Sequence, residues 1–140
     1  FMKKIIICLL ALNVFTFTIV SAQENEVEAV KTVCNYYIEG GTNGDSVLFS
    51  KAFSPGGQMQ YMRNDTLMSV SLKDFMARMP NSGKKQNRTA KIDRVDVYGN
   101  AAFAKITIEY PGFFFHDIMS LLKTKEGWKI VGKVFYRENK

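Results

Sequence analysis

The spacing of apolar residues changes character along this chain, and each change marks an element. Residues 5–20 form a nearly unbroken apolar run, interrupted by Asn13 and two threonines. Beyond it, Val27, Val30, Cys34, Tyr37 and Ile38 recur at helical spacing and give one apolar stripe. Glu24 or Asn25 is placed to begin this helix. Gly40-Gly41 is placed to end it, because glycine accepts the left-handed turn at a helix C-terminus. Asp45 then caps a short second helix with Val47, Leu48 and Phe53 turned inward. Pro55-Gly56-Gly57 reads as a turn. Residues 58–62 alternate as a strand, and Asn64-Asp65 turns the chain into a partner strand over 66–70. Ser71 caps a third helix with Leu72, Phe75, Met76 and Met79 inward and Pro80 beyond it. A polar loop follows over 81–87. Four long strand-like runs complete the chain, at 89–98, 101–110, 113–124 and 128–136. Helices first and an antiparallel meander after them predict an α+β fold.

The last strands are apolar on both faces. Ala102, Ala104, Ile106, Ile108 and Tyr110 share one face. Phe113, Phe115, Met119 and Leu121 share a face with Asp117, while Phe114, Ile118 and Leu122 lie opposite with His116. A sheet with one solvated face alternates more cleanly than this. One face is expected to pack on the helices and the other on a second copy of the chain, giving a homodimer through the sheet.

The first 22 residues stand apart. Lys3-Lys4, the apolar run and Val20-Ser21-Ala22 have the three parts of a secretory leader cut before Gln23. The expected organisation is a cleaved leader over 1–22 and one domain over 23–140, exported to the periplasm or outside the cell. After cleavage, no membrane contact is expected. Phe1 ahead of Met2 has no counterpart in this pattern.

The 140-residue chain carries a formal net charge of +6, and removal of Lys3 and Lys4 leaves +4. That excess favours solubility and a mild attraction to anions. Past the leader only Cys34 remains, so no internal disulfide can form, and its place on the apolar stripe reads as a small buried hydrophobe. One histidine and one distant cysteine do not make a metal site, and no cofactor is implied. Lys84, Lys85, Arg88, Lys91 and Arg94 form a basic segment, but Asp93 and Asp96 interleave it and no aromatic platform accompanies it. It reads as a solvated loop and strand edge, with no nucleic-acid partner.

Several motifs occur together in order. They are Tyr36-Tyr37-Ile38-Glu39-Gly40-Gly41 with Asp45, Ala52-Phe53-Ser54-Pro55, Glu109-Tyr110-Pro111-Gly112, Asp117-Ile118-Met119-Ser120-Leu121-Leu122-Lys123 and Gly127-Trp128-Lys129-Ile130-Val131. In this arrangement the chain resembles the putative lumazine-binding family of the nuclear-transport-factor-2-like (SnoaL-like) fold. The resemblance spans about Val27 to Tyr136. It implies a cone in which helices close one side of a curved sheet around a pocket. Tyr37 would enter that pocket from the first helix. Met59 and Tyr61 would line its rim, and Phe75, Met76 and Met79 would form a lid. Phe115, Asp117, Met119 and Trp128 would line the concave face. Such a lining suits a small apolar or aromatic molecule, pterin-like by the resemblance. Plain core is the competing reading of these methionines and aromatics.

Asp117 is the sharpest residue, since an acid among Phe115, Met119 and Leu121 is either paired with a tyrosine or lysine, or functional. His116 has the opposite parity and belongs to the convex side. Steroid isomerases of this fold need a tyrosine on the first helix, a carboxylate base and a second acid. Tyr37 matches, the base falls in the acid-free stretch 59–62, and the second acid falls on Met119. Three functions therefore compete. The first is an exported binder of an aromatic or apolar ligand. The second is an enzyme of the SnoaL-like or ketosteroid-isomerase-like class using Asp117 and Tyr37. The third is a dimeric interaction module whose cone is filled by its own side chains.

Overall fold

The computed structural model describes the backbone of residues 2–140 and the side chains of residues 23–140. The expected leader and its cleavage point lie outside the residues described with side chains. The element order is α1 (Met2–Asn43), α2 (Ser46–Ser50), β1 (Phe53–Arg63), β2 (Thr66–Ser71), α3 (Leu72–Ala77), β3 (Thr89–Tyr98), β4 (Ala101–Tyr110), β5 (Phe113–Thr124) and β6 (Gly127–Asn139). The six strands form one sheet in the order β2-β1-β6-β5-β4-β3. Every neighbouring pair is antiparallel except β1 and β6, which run parallel. The meander of sequential hairpins accounts for the antiparallel part. The parallel pair departs from the all-antiparallel expectation because β1 precedes α3, which carries the chain away before β3.

Helix α1 does not end at Gly40-Gly41 as the pattern suggested. It continues to Asn43, and Gly44 supplies the positive φ of 65°. Gly40 serves close approach instead, because a Cβ there would lie 2.6 Å from the Phe49 Cα. Nor does α1 begin at Glu24 or Asn25, since its backbone is helical from Met2. In α2, Asp45 caps as expected, accepting from the Leu48 amide at 2.8 Å. Val47, however, is exposed, and Phe49 is the residue that turns inward. Ser71 caps α3 by accepting from the Asp74 amide at 3.0 Å. Asn64 and Asp65 make the expected hairpin turn with positive φ values of 46° and 60°.

Pro55-Gly56-Gly57 is not a turn between elements. It lies inside β1, where the register against β6 shifts between Phe53 and Gln58. A matching irregularity lies opposite, in β6. Ile130 pairs with Leu121 and Gly132 with Ser120, leaving Val131 as an extra residue. Gly57 is needed here because a Cβ on it would lie 2.8 Å from the Val131 carbonyl carbon. A bulge of this kind reverses side-chain parity along the strand. Trp128 and Ile130 face inward before it, and Lys133 faces inward after it.

The core lies between the helices and the inner face of the sheet. Val30, Cys34, Tyr37 and Ile38 of α1 pack with Phe49, Phe53 and Leu72 and with Ala104, Ile106, Ile108, Met119, Leu121 and Ile130. Among the described residues, no helix is long and apolar enough to cross a membrane.

Candidate ligand-binding site

Three polar side chains meet inside this core. Tyr37 comes from α1 and is 5% exposed, Asp117 from β5 and 0%, and Lys133 from β6 and 5%. The Tyr37 hydroxyl donates to Asp117 Oδ2 at 2.6 Å. The Lys133 ammonium pairs with Asp117 Oδ1 and donates to the Tyr37 oxygen at 3.1 Å. The acid singled out in the sequence is therefore paired, by a tyrosine and a lysine together. Its Oδ2 accepts the tyrosine hydrogen bond, while Oδ1 lies against the ammonium without a hydrogen bond of its own.

Burial sets the titration of the other two members. Desolvation, reinforced by the Asp117 charge, holds the Tyr37 hydroxyl well above its ordinary 10.0. Desolvation pushes Lys133 below its ordinary 10.5, although the attraction of Asp117 opposes it. The Tyr37 hydroxyl therefore keeps its proton at neutral pH, between Asp117 and Lys133. An ammonium has three N–H donors. Among the described residues, Lys133 donates to Tyr37 alone and meets Asp117 Oδ1 as a charge contact.

Lys133 was not found from the sequence. Counted from Trp128 and Ile130 by strict alternation, it falls on the convex face. The extra residue at Val131 brings it inward. Gly132, a glycine inside a strand, was the available cue.

Aromatic rings surround the cluster in two groups. Tyr37 meets Phe53 edge-on at 5.6 Å and Phe49 at 5.4 Å, and Phe75 of α3 packs on Phe49 at 5.4 Å and Phe53 at 5.7 Å. The second group crosses the inner face. Tyr61 stacks on Phe135 at 4.7 Å, Phe135 meets Phe115 edge-on at 5.3 Å, and Phe115 meets Tyr110 edge-on at 6.1 Å. These four rings are only partly buried. The Lys133 ammonium lies 5.1 Å from the centroids of both Tyr37 and Phe135, and so between the two groups. Met59 sits beside Lys133 in the β1–β6 register and is buried.

The other expected lining residues separate. Met76 and Met79 lie partly buried against the core, and Met119 is fully buried. Trp128 is not brought to the cluster. It pairs with Lys123, six residues along β5 from Asp117, and its indole donates to Glu26 Oε2 at 2.8 Å. Six residues of strand span about 20 Å. Cys34 is buried, and desolvation pushes its thiol up to about 12, as suits a small hydrophobe. His116 faces the convex side, 2.7 Å from Glu138 Oε2. Among the described residues, no group of three or more His, Cys, Asp or Glu side chains could hold a metal ion.

Arg88 corrects one expectation. It was read as part of a solvated basic segment, yet it turns in under α1. Its guanidinium donates to Thr42 Oγ1 at 3.0 Å, the Tyr110 hydroxyl at 3.0 Å and the Ile38 carbonyl at 3.1 Å. A side chain on Gly41 would collide with it.

Residues 25–136 match the family model described as "Putative lumazine-binding". The chain belongs to this family. Solved structures give the same fold. A nuclear-transport-factor-2-like protein of unknown function from Shewanella baltica superposes with a TM-score of 0.73 at 29% identity, covering 81% of this chain and 94% of that one. Another from Methylobacillus flagellatus gives a TM-score of 0.70 at 27% identity, covering 81% and 93%. One from Silicibacter pomeroyi, at 21% identity and TM-score 0.71 over 82% and 98% of the two chains, shows likeness of fold alone. No curated protein matches. Family membership and fold thus agree with the resemblance drawn from the motifs.

Proposed function

We propose that this chain is an exported protein that binds a small planar aromatic molecule against the inner face of its sheet. The observation that carries the reading is the placement of Tyr37, Asp117 and Lys133 beside the half-buried row Tyr61, Phe135, Phe115 and Tyr110. Plain core buries its rings and excludes charge. A binding face combines open aromatic surface with a few fixed polar groups. Rings stack on the row, while the buried cluster supplies orientation. The family's name favours a lumazine-like ring, and a cone-shaped cavity between α1, α3 and the sheet is part of the proposal. Export rests on the 1–22 leader.

The test is native mass spectrometry of the protein purified from its own host, with identification of any molecule released on denaturation. A retained aromatic compound, lost in folded Phe135→Ala and Tyr37→Phe variants, supports the reading. A protein free of any such compound, which also fails to bind lumazine in titration calorimetry, removes it.

A homodimer through the convex face accompanies this proposal. Ile118, Leu122, Val134 and Tyr136 are large, apolar or aromatic, and exposed there. Covering such a surface is what a partner copy would do. Chemistry by Asp117 is the less favoured reading, because Oδ2 accepts from Tyr37 and Oδ1 lies buried against the Lys133 ammonium.

A further inference from the structure

We propose that the ligand is an aromatic anion, held at its charged group by Arg88 and Lys133. This rests on the binding role proposed above and adds the charge of what is bound.

The inward charges do not balance. On the inner face of β4, β5 and β6 the one acid is Asp117, and Lys133 already pairs with it. Arg88 is a second cation, part-buried and anchored to the same helix that carries Tyr37. Its partners are a hydroxyl of Thr42, a hydroxyl of Tyr110 and the carbonyl of Ile38, all neutral. Among the described residues, no carboxylate lies within 4.0 Å of it. A guanidinium removed from water costs free energy unless an anion compensates it.

The donors also point to an anion. Guanidinium has five N–H groups in a planar fork, and the protein uses three of them. Lys133 gives one hydrogen bond, to Tyr37, and lies against Asp117 Oδ1 without a hydrogen bond to it, which leaves donors to spare. Tyr110 joins the two features, since its hydroxyl accepts from Arg88 while its ring continues the aromatic row through Phe115. Arg88 reaches the helix beside the cluster, since it donates at 3.1 Å to the carbonyl of Ile38, the residue after Tyr37. A flat ring on the row, with a carboxylate or ionised ring oxygen toward the two cations, satisfies the surplus charge and the spare donors together. A neutral ring satisfies neither.

The experiment compares 2-naphthoate with 2-naphthamide, probes of nearly equal shape that differ in charge, by titration calorimetry on the full chain. The expected result is naphthoate binding at least ~10-fold more tightly, with the preference shrinking in high salt. In Arg88→Gln, naphthoate should weaken ~10-fold or more while naphthamide changes less than about twofold. Arg88→Lys, which keeps the charge, should recover part of the preference. If naphthamide binds the parent chain as well as naphthoate does, the anion inference fails and the aromatic-binding reading stands. If neither probe nor lumazine binds, both fail. Should Arg88→Gln not fold, the parent chain's charge preference and its salt dependence still decide the question.

Discussion

Lys133 meets Asp117 on the diagonal between two strands, one step off the register in which Lys133 opposes Met119 and Asp117 opposes Phe135. The Tyr37 hydroxyl closes the triangle from the helix side. The triangle therefore ties α1 to the two central strands, and its loss is expected to lower stability.

Breaking one side of that triangle strands a charge. Asp117→Asn and Lys133→Met should each destabilise by about 3–5 kcal/mol. The double variant Asp117→Leu/Lys133→Met should regain most of that loss, because no buried charge remains. Urea unfolding of the singles and the double measures the coupling. Additive losses would show that the two groups do not act as a pair.

Tyr37 gives the protein an alkaline signature. Its folded pKa is raised, so the native state keeps a proton that the unfolded chain releases above 10.0. This contribution to stability is intact below pH 10.0 and declines as pH rises beyond it, by up to about 1.4 kcal/mol per pH unit. Lys133, whose folded pKa is lowered, acts with the opposite sign between that value and 10.5. Subtracting the stability profile of Tyr37→Phe from that of the parent isolates the tyrosine. The difference should fall above pH 10, and a flat difference would contradict the assignment.

These groups were unequally legible in the sequence. Asp117 stood out because an acid interrupts an apolar face, and Tyr37 because it falls on the helical stripe. Both readings need only local periodicity. Lys133 and Phe135 lie beyond a one-residue irregularity, and periodicity loses its phase there. Arg88 was lost for another reason. It shares a segment with solvated lysines, and its burial comes from α1, 46 residues before it at Thr42. The parallel β1–β6 pairing was hidden because nothing in residues 53–63 names the partner strand.

Gly40 supplies a test that separates its two readings. In an uncrowded mid-helix position alanine is favoured over glycine by up to about 1 kcal/mol. Here the methyl would meet Phe49 backbone, which cannot swing aside. Gly40→Ala should therefore destabilise by about 2–3 kcal/mol, toward the upper end for overpacking. Gly56→Ala, with nothing within 4 Å, should be close to neutral. Thermal melts of the two variants check both.

Cys34 should be silent in the folded protein. Buried, with its thiol pushed up to about 12, it is expected to resist iodoacetamide at pH 8 and to react fully in denaturing urea. Mass spectrometry of the alkylated chain reads the difference.

The exposed convex residues give the last prediction. Ile118→Glu/Val134→Glu places two like charges side by side in the β5–β6 register. Light scattering should show a dimer for the parent and a monomer for the double variant, with the circular dichroism spectrum unchanged. A parent that is itself monomeric would remove the dimer from the proposal.

The extra residue at Val131 has an evolutionary reading. Loss of that single codon would leave Lys133 two places after Ile130, so strict alternation would keep Lys133 and Phe135 inward with Val134 and Tyr136 outward. Losing a residue while the bulge stayed would instead turn Lys133 and Phe135 out. What lineages must preserve to keep the buried ion pair is then an agreement between a length and a bulge: two residues between Ile130 and Lys133 with the bulge, or one without it. Drift in the identity of residue 131 is tolerable where a change in one of these without the other is not.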